Sequence, residues 1–168
     1  VTKTFLRRLP EPVIPFDALD AVLDLVKSDR KVDTVGLAQI LQDRSRVPQA
    51  HARCLAYILE CLGAVVSNSQ YNHMNASNLA ICIAPAIMRS RPDQQHSDPI
   101  RMANMFVKGR DVLTAMLDER ERLFAPSDRA VAIMNVRLGL ALPPYAPNET
   151  STRNMKHRSR PRGNARRW

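Results

Sequence analysis

The longest regular stretch of this sequence runs from Pro48 to Ser67, and its apolar residues recur with the period of an α-helix. An aliphatic side chain returns to the same face every three or four positions, in the series Leu55, Ile58, Leu59, Leu62 and Val66. This spacing predicts a helix with one buried stripe. Pro48 suits the first helical position, and the turn-forming residues of SNSQYNH end the helix.

Two further segments show the same period. Residues 16–27 place apolar side chains on one face and three aspartates on the other, which predicts an amphipathic helix. Residues 74–88 are apolar all round, which predicts a central helix that ends at Pro85. Residues 1–15 are expected to form a short helical turn followed by an extended segment, because Pro10, Pro12 and Pro15 fix the backbone there.

The remaining elements also favour helix. Asp98 followed by Pro99 is a favourable start for a helix that reaches about residue 124. Residues 28–47 are mixed and charged, and we interpret them as a loop with one or two helical turns. The apolar run at residues 81–83 is too short to suggest a sheet. We therefore predict an all-α fold.

Charge and apolar content divide the chain. The net charge is +9, and residues 145–168 hold one lysine, six arginines and one glutamate, so most of the basic character lies there. Residues 143–168 are polar, basic and poor in apolar side chains, and we predict a disordered basic tail. A weaker apolar segment at 126–142 could form one extra short helix. Residues 1–125 are the predicted helical domain.

Several residues are of types that occur in metal sites and catalytic motifs. Cys54, Cys61 and Cys82 are odd in number and lie in apolar surroundings, which predicts reduced core thiols in a cytoplasmic protein. His51 and Cys54 lack a second ligand pair, so no metal site is expected. SDRK at residues 28–31 fits the S-x-x-K pattern of serine hydrolases without its companion motifs. A glycine-rich phosphate loop is missing from the sequence, and no cofactor is expected.

Four segments carry a resemblance to a known family. They are KTFLRRLPEPVIP at 3–15, VPQAHARCLAYIL at 47–59, NHMNASNLAICIAPAIM at 72–88 and DVLTAMLDERERLF at 111–124. In this order and at this spacing they resemble the Rho GTPase-activating protein domain, RhoGAP. The resemblance implies a RhoGAP-like helical bundle that docks on a Rho-family small GTPase in its GTP-bound state and speeds hydrolysis of the GTP. The chemistry then belongs to the GTPase and its Mg²⁺, so the chain is expected to be a signalling regulator without a small-molecule substrate or catalytic residues of its own.

The resemblance assigns roles to three residues. Lys3 matches a lysine at the GTPase interface, Arg7 matches an arginine that braces the loop bearing the arginine finger, and Asn78 matches an asparagine that contacts the partner. Each residue also has a plainer interpretation. Lys3 could be a solvated lysine, Arg7 could cover apolar surface with its stem, and Asn78 could be a helix-capping amide.

Two departures from the family pattern modify the expectation. The family's finger arginine lies in a G-I-F-R-x-x-G-like segment ahead of the K-x-F-L-R motif, and the 168 residues hold no such segment. We therefore expect a bundle that is incomplete at its N-terminus and weak or inactive as a GTPase activator. Ala86 stands where the family has an asparagine, so one polar contact with the partner is expected to be missing.

A second function stays open on the sequence alone. The tail RNMKHRSRPRGNARRW, residues 153–168, interleaves arginines with a tryptophan, a composition that can bind RNA or an anionic membrane. The alternative is thus a basic helical protein that acts through its Arg-rich tail. On either interpretation the predicted location is cytoplasmic or peripheral to a membrane.

Overall fold

The structure, a computed structural model, describes residues 2–92 and 98–141 of the chain. Within these ranges the regular elements are helices, and the backbone pairing outside them is an antiparallel bridge between Val26 and Val32. The all-α prediction is confirmed. The helices are α1 Thr2–Arg8, α2 Phe16–Asp24, α3 Thr34–Gln42, α4 Gln49–Ser67, α5 Ser69–Asn72, α6 Ala76–Ile87, α7 Pro99–Asp118, α8 Arg120–Leu123 and α9 Pro126–Ala141.

The core lies between the long helices. α6 packs along α7, α4 packs along α9, and α1 lies against α6. Leu55 and Leu59 of α4 are fully buried, as are Leu113 and Ile87 from the neighbouring helices. By length and composition alone α4 could cross a membrane, which is weak evidence because a core helix of a folded bundle passes the same test. Leu55 and Leu59 of α4 are fully buried in the bundle, whereas Ile58, Leu62 and Val66 of the predicted stripe are half-buried.

The segment between α2 and α4 is more ordered than the sequence indicated. α2 ends at Asp24 and not near Lys27, because the chain turns back at the Val26–Val32 bridge. Asp33 then caps α3 by accepting hydrogen bonds from the backbone N–H groups of Val35 and Gly36, both at 3.1 Å. The predicted one or two helical turns are a nine-residue helix.

The start of α7 is as predicted. The Asp98 carboxylate accepts hydrogen bonds from the backbone N–H groups of Ile100 at 2.9 Å and Arg101 at 3.2 Å, and Pro99 is the first helical residue. The helix ends at Asp118, and a separate short helix, α8, follows.

The predicted end of α6 is wrong. Pro85 lies inside the helix, which continues to Ile87, and the backbone N–H of Met88 still donates to the carbonyl of Ala84 at 2.9 Å. Proline has no N–H to donate to the carbonyl of Ile81 four residues earlier. Because Pro85 lies in the last turn, the helix loses little beyond that one bond.

The prediction of core thiols is also wrong. The three cysteines are free, but Cys54 and Cys82 are exposed and Cys61 is half-buried. The buried stripe of α4 runs through Leu55 and Leu59, so Cys54 points away from it. A short apolar environment in the sequence does not fix which side of a helix a residue occupies.

The C-terminal third is described as far as α9. Residues 126–141 form this helix and pack on α4. The predicted division at residue 125 stays a prediction, and the predicted tail at 143–168 lies outside the described residues.

Candidate functional site

α6 presents one exposed row of side chains. Asn78, Ile81, Cys82 and Pro85 recur at helical spacing, and the first three are exposed while Pro85 is half-buried. The opposite side of α6 is buried, at Leu79, Ala80, Ala84, Ala86 and Ile87. The prediction of a central helix therefore holds for one side of α6 only. A large aliphatic side chain, Ile81, remains 57% exposed in the middle of the row.

Asn78 lies in the capped first turn of α6 and is exposed. Its backbone N–H donates to Oδ1 of the N-cap residue Asn75 at 2.8 Å. Its side-chain Nδ2 donates to the carbonyl of His73 at 3.2 Å, where His73 adopts a left-handed backbone conformation with φ of 57°. Oδ1 of Asn78 accepts no hydrogen bond from the part of the chain that the structure describes. A hydrogen bond thus holds Nδ2 of the Asn78 amide, and Oδ1 stays available as an acceptor for a partner.

α1 supplies the positive charge beside this row. Leu6 is buried and fixes α1 on the bundle, whereas Lys3, Arg7 and Arg8 are exposed. Lys3 and Arg7 are four residues apart and so lie on one face of α1. Neither forms an ion pair with any acidic side chain in residues 2–92 and 98–141. Phe5, 63% exposed, adds an apolar surface to the same helix.

Contacts at the end of α6 hold α1 in place. A guanidinium N–H of Arg89 donates to the carbonyl of Leu9 at 2.6 Å, directly after α1. The backbone N–H of Ile14 donates to the carbonyl of Ile87 at 3.0 Å. The carbonyl of Val13 also lies 3.1 Å from Nδ1 of His51 on α4. The proline-rich segment is therefore anchored at both sides, and it fixes where α1 leaves the bundle.

Arg7 and the row on α6 meet at a shared cavity of about 430 Å³. The cavity is lined by Arg7, Pro85, Met88, Arg89, Ser90, Met102, Met105 and Phe106. Its described lining therefore contains two arginines and no acidic residue. Nε of Arg89 is buried and has no hydrogen-bond partner. The structure thus brings Arg7 to the Pro85 end of the row.

The three residues singled out from the sequence lie on two helices that contact each other. Lys3 and Arg7 are on α1, and Asn78 is on the first turn of α6. Lys3 and Asn78 do not line the cavity beside Arg7. The bracing role expected of Arg7 stays a prediction. Ala86 is fully buried, so that position does not reach the exposed row.

Sequence reasoning missed Ile81 and Phe5 as surface residues. A signal for Ile81 was present, because Asn78 and Pro85 are seven residues apart and so mark one side of the helix on which Ile81 and Cys82 also fall. The exposure of Phe5 had no comparable signal, since α1 has only seven residues.

The exposed Asn78 and Ile81 lie on α6, and the cations Lys3 and Arg7 lie with Phe5 on the contacting helix α1. Hydrogen-bonding, charged and apolar groups of these kinds suit recognition of another protein's surface. Fold and site together are those of an all-helical module with a candidate protein-binding surface.

Comparison with known proteins identifies the family. The family model for the RhoGAP domain matches residues 1–92. Mouse Rho GTPase-activating protein 22 is 32% identical over 123 residues, which is 73% of this chain and 17% of that protein. Mouse Rho GTPase-activating protein 24 is 30% identical over 126 residues, or 75% of this chain and 16% of that protein. The chain belongs to the RhoGAP domain family, and it spans about a sixth of the length of these relatives.

Solved structures agree with the fold. The BH domain from GRAF, a GTPase regulator associated with focal adhesion kinase, superposes with a TM-score of 0.59 at 18% identity, over 73% of this chain and 62% of that one. Human Rho GTPase activating protein 15 superposes with a TM-score of 0.58 at 21% identity, over 73% of this chain and 55% of that one.

Proposed function

We propose that this chain is a binding module for a Rho-family GTPase in its GTP-bound state, and that α1 and the exposed row of α6 form the contact surface. The observation that supports this most directly is the position of Ile81. An exposed isoleucine between Asn78 and Pro85 offers apolar area that a partner would bury on binding. Membership of the RhoGAP domain family supplies the class of partner.

In the proposed complex the bond-making groups belong to the GTPase. Lys3 and Arg7 contribute positive charge that attracts the acidic nucleotide-bearing face, and Asn78 offers its free Oδ1 to a backbone or side-chain donor of the partner. Ile81 and Phe5 contribute apolar contact area. We assign no proton transfer or covalent step to this chain.

We further propose that these 168 residues bind better than they accelerate hydrolysis. They contain no segment like the family's G-I-F-R-x-x-G sequence, and an arginine finger contributes a factor of about 10³ to 10⁵ in rate. Positioning by the remaining surface would then give only a small acceleration. The predicted cytoplasmic location is part of the same proposal.

The test is a binding titration of the chain with Rho-family GTPases carrying GDP, a non-hydrolysable GTP analogue, or GDP with aluminium fluoride. We expect binding to prefer the last two states. Asn78→Ala should weaken it about tenfold, since one hydrogen bond at a desolvated contact is worth about 1.5 kcal/mol. A thermal melt of the variant checks that the cap of α6 survives the change.

Gln39→Ala is the matched control, because Gln39 is an exposed amide residue on α3. Equal affinities for Asn78→Ala and Gln39→Ala, or equal binding to all three nucleotide states, would contradict the proposed surface. A single-turnover hydrolysis assay measures acceleration separately, and strong stimulation would contradict only the proposal of weak catalysis.

The alternative function, binding of RNA or an anionic membrane by the Arg-rich tail, depends on residues 153–168. These residues lie outside the described ranges, and the relatives above lend that function no support.

A further inference from the structure

α9 is held on α4 with little described apolar burial. Among the side chains of α9 that the structure describes, Asp128 and Ala132 are buried, Ile133 and Val136 are half-buried, and Met134 is exposed. Of the apolar side chains described in this helix, one small residue is thus buried and two are half-buried. Polar contacts add to this attachment.

Asp128 provides the central contact. Its side chain is 2% exposed, and its two oxygens lie 2.5 Å from Nη2 of Arg44 and 3.0 Å from Nε of Arg53. Arg44 comes from the loop before α4, and its Nη1 also donates to the carbonyl of Leu41 at 3.1 Å. We call Asp128, Arg44 and Arg53 the latch. A buried carboxylate between two guanidiniums is stable only while both partners are present.

A second pair lies one residue further along α9. Nε of Arg129 is 3.2 Å from Oε1 of Glu60 on α4, and its Nη2 is 3.1 Å from Oε1 of Glu121 on α8. Both pairs are in the first turn of α9. The helix is thus fastened by charge at its N-terminal end.

Further along, a groove borders the contact between α9 and α4. Its volume is about 550 Å³, and its described lining is Tyr57, Cys61, Ala64, Val65, Asn68, Asn72 and Val136. The members from α4 are mostly apolar, and Val136 is the described member from α9. Unfilled space beside apolar side chains forfeits the dispersion contacts that close packing would provide. The groove lies beside the strip of α4 that contains Cys61 and Val65.

We propose that α9 is a strap that opens as a unit when the latch is broken, exposing the apolar strip of α4 that contains Cys61 and Val65. The remaining helices can stay folded, because the stripe of α4 that enters the core contains Leu55 and Leu59. Arg44 and Arg53 have side chains 37% and 48% exposed, so water can solvate them once they no longer contact Asp128. This inference is independent of the proposed GTPase binding.

The native Cys61 thiol reports on the strap. In a Cys54→Ser, Cys82→Ser background, a colourless thiol reagent that releases a coloured ion measures access to Cys61, which is half-buried beside Val136. We expect Asp128→Asn to raise the labelling rate about tenfold or more, because the neutral amide cannot pair with two guanidiniums. Hydrogen exchange should speed up in α9 and stay unchanged in α6 and α7.

Asp111→Asn is the matched control. Asp111 forms a two-contact pair with Arg30, at 2.8 and 3.0 Å, between α7 and the loop after α2. It should leave Cys61 labelling unchanged. Equal labelling of Asp128→Asn and the parent protein would overturn the strap, as would faster exchange in every helix at once. If Asp128→Asn does not fold, Arg44→Gln is the second variant, because it keeps the ion pair between Asp128 and Arg53. We expect Arg44→Gln to raise the Cys61 labelling rate by a smaller factor. No increase in that rate would also overturn the strap.

Discussion

The absence of a Cβ at Gly63 lets the side chain of Arg120 pack closely against α4. A Cβ placed on Gly63 would lie 2.7 Å from Nε of Arg120, which is closer than atoms can approach. Arg120 lies flat over this position, with Nε buried and Nη1 donating to the carbonyl of Leu117 at 3.0 Å. Glycine is needed here for close approach and not for an unusual backbone angle, because Gly63 is in the middle of a helix.

Gly63→Ala is expected to leave the free energy of unfolding within about 0.5 kcal/mol of the parent, because displacing Arg120 from its bond to Leu117 costs about 1 kcal/mol and offsets the preference of a helix for alanine over glycine. In an Arg120→Ala background the same change should raise stability by about 0.5–1 kcal/mol, since alanine favours helix over glycine. Urea denaturation of the four proteins gives the coupling. An identical effect in both backgrounds would show that Arg120 does not set the requirement.

The sequence motifs identified some residues of the candidate site and missed others. Lys3, Arg7 and Asn78 could be named from motifs, and the structure places them on two contacting helices. Ile81 lies in a helix that the sequence predicts to be central, yet it is 57% exposed. Its exposure depends on which side of α6 the rest of the bundle covers, and that is not a local property.

At the scale of elements, helix ends followed from local chemistry where a capping residue was present. Asp98 and Pro99 predicted the start of α7, and the structure has the cap there. Asp33 is a similar cap at the start of α3. The full length of α3 was not predicted, because the composition of residues 28–47 is mixed and charged.

Asp98→Ala should lower the free energy of unfolding by about 1 kcal/mol, because the backbone N–H groups of Ile100 and Arg101 lose their acceptor. Asp98→Ser keeps an oxygen acceptor and should recover most of that loss. Thermal or denaturant unfolding compares the three proteins. Equal destabilisation by both substitutions would mean that the cap contributes nothing measurable and that charge alone matters at this position.

At the scale of the whole molecule, the two proposed surfaces lie on different parts of the bundle. The contact face uses α1 and α6, which pack on each other, whereas the strap packs on α4. Sites that share no contacts generally act independently. The molecule can then bind a partner with the strap open or closed.

This separation predicts that Asp128→Asn leaves GTPase affinity within about twofold of the parent, and that Asn78→Ala leaves the Cys61 labelling rate unchanged. The double variant should show both single effects together. Measuring affinity and labelling on the same four proteins checks the prediction. A change in affinity on opening the strap would reveal coupling through α4, which also contacts α6.

The sequence alone determined the helical class, the cap of α7 and the family motifs, because helix period, capping and short motifs depend on residues close in the chain. The tertiary structure decided which face of α6 is exposed, why a side chain at Gly63 would displace Arg120 and how the first turn of α9 is attached. Each of these depends on partners far apart in the sequence, such as Asp128 and Arg44, which are separated by 84 positions. A pattern within one helix identifies a face, but only the packed bundle decides whether solvent or another helix covers that face.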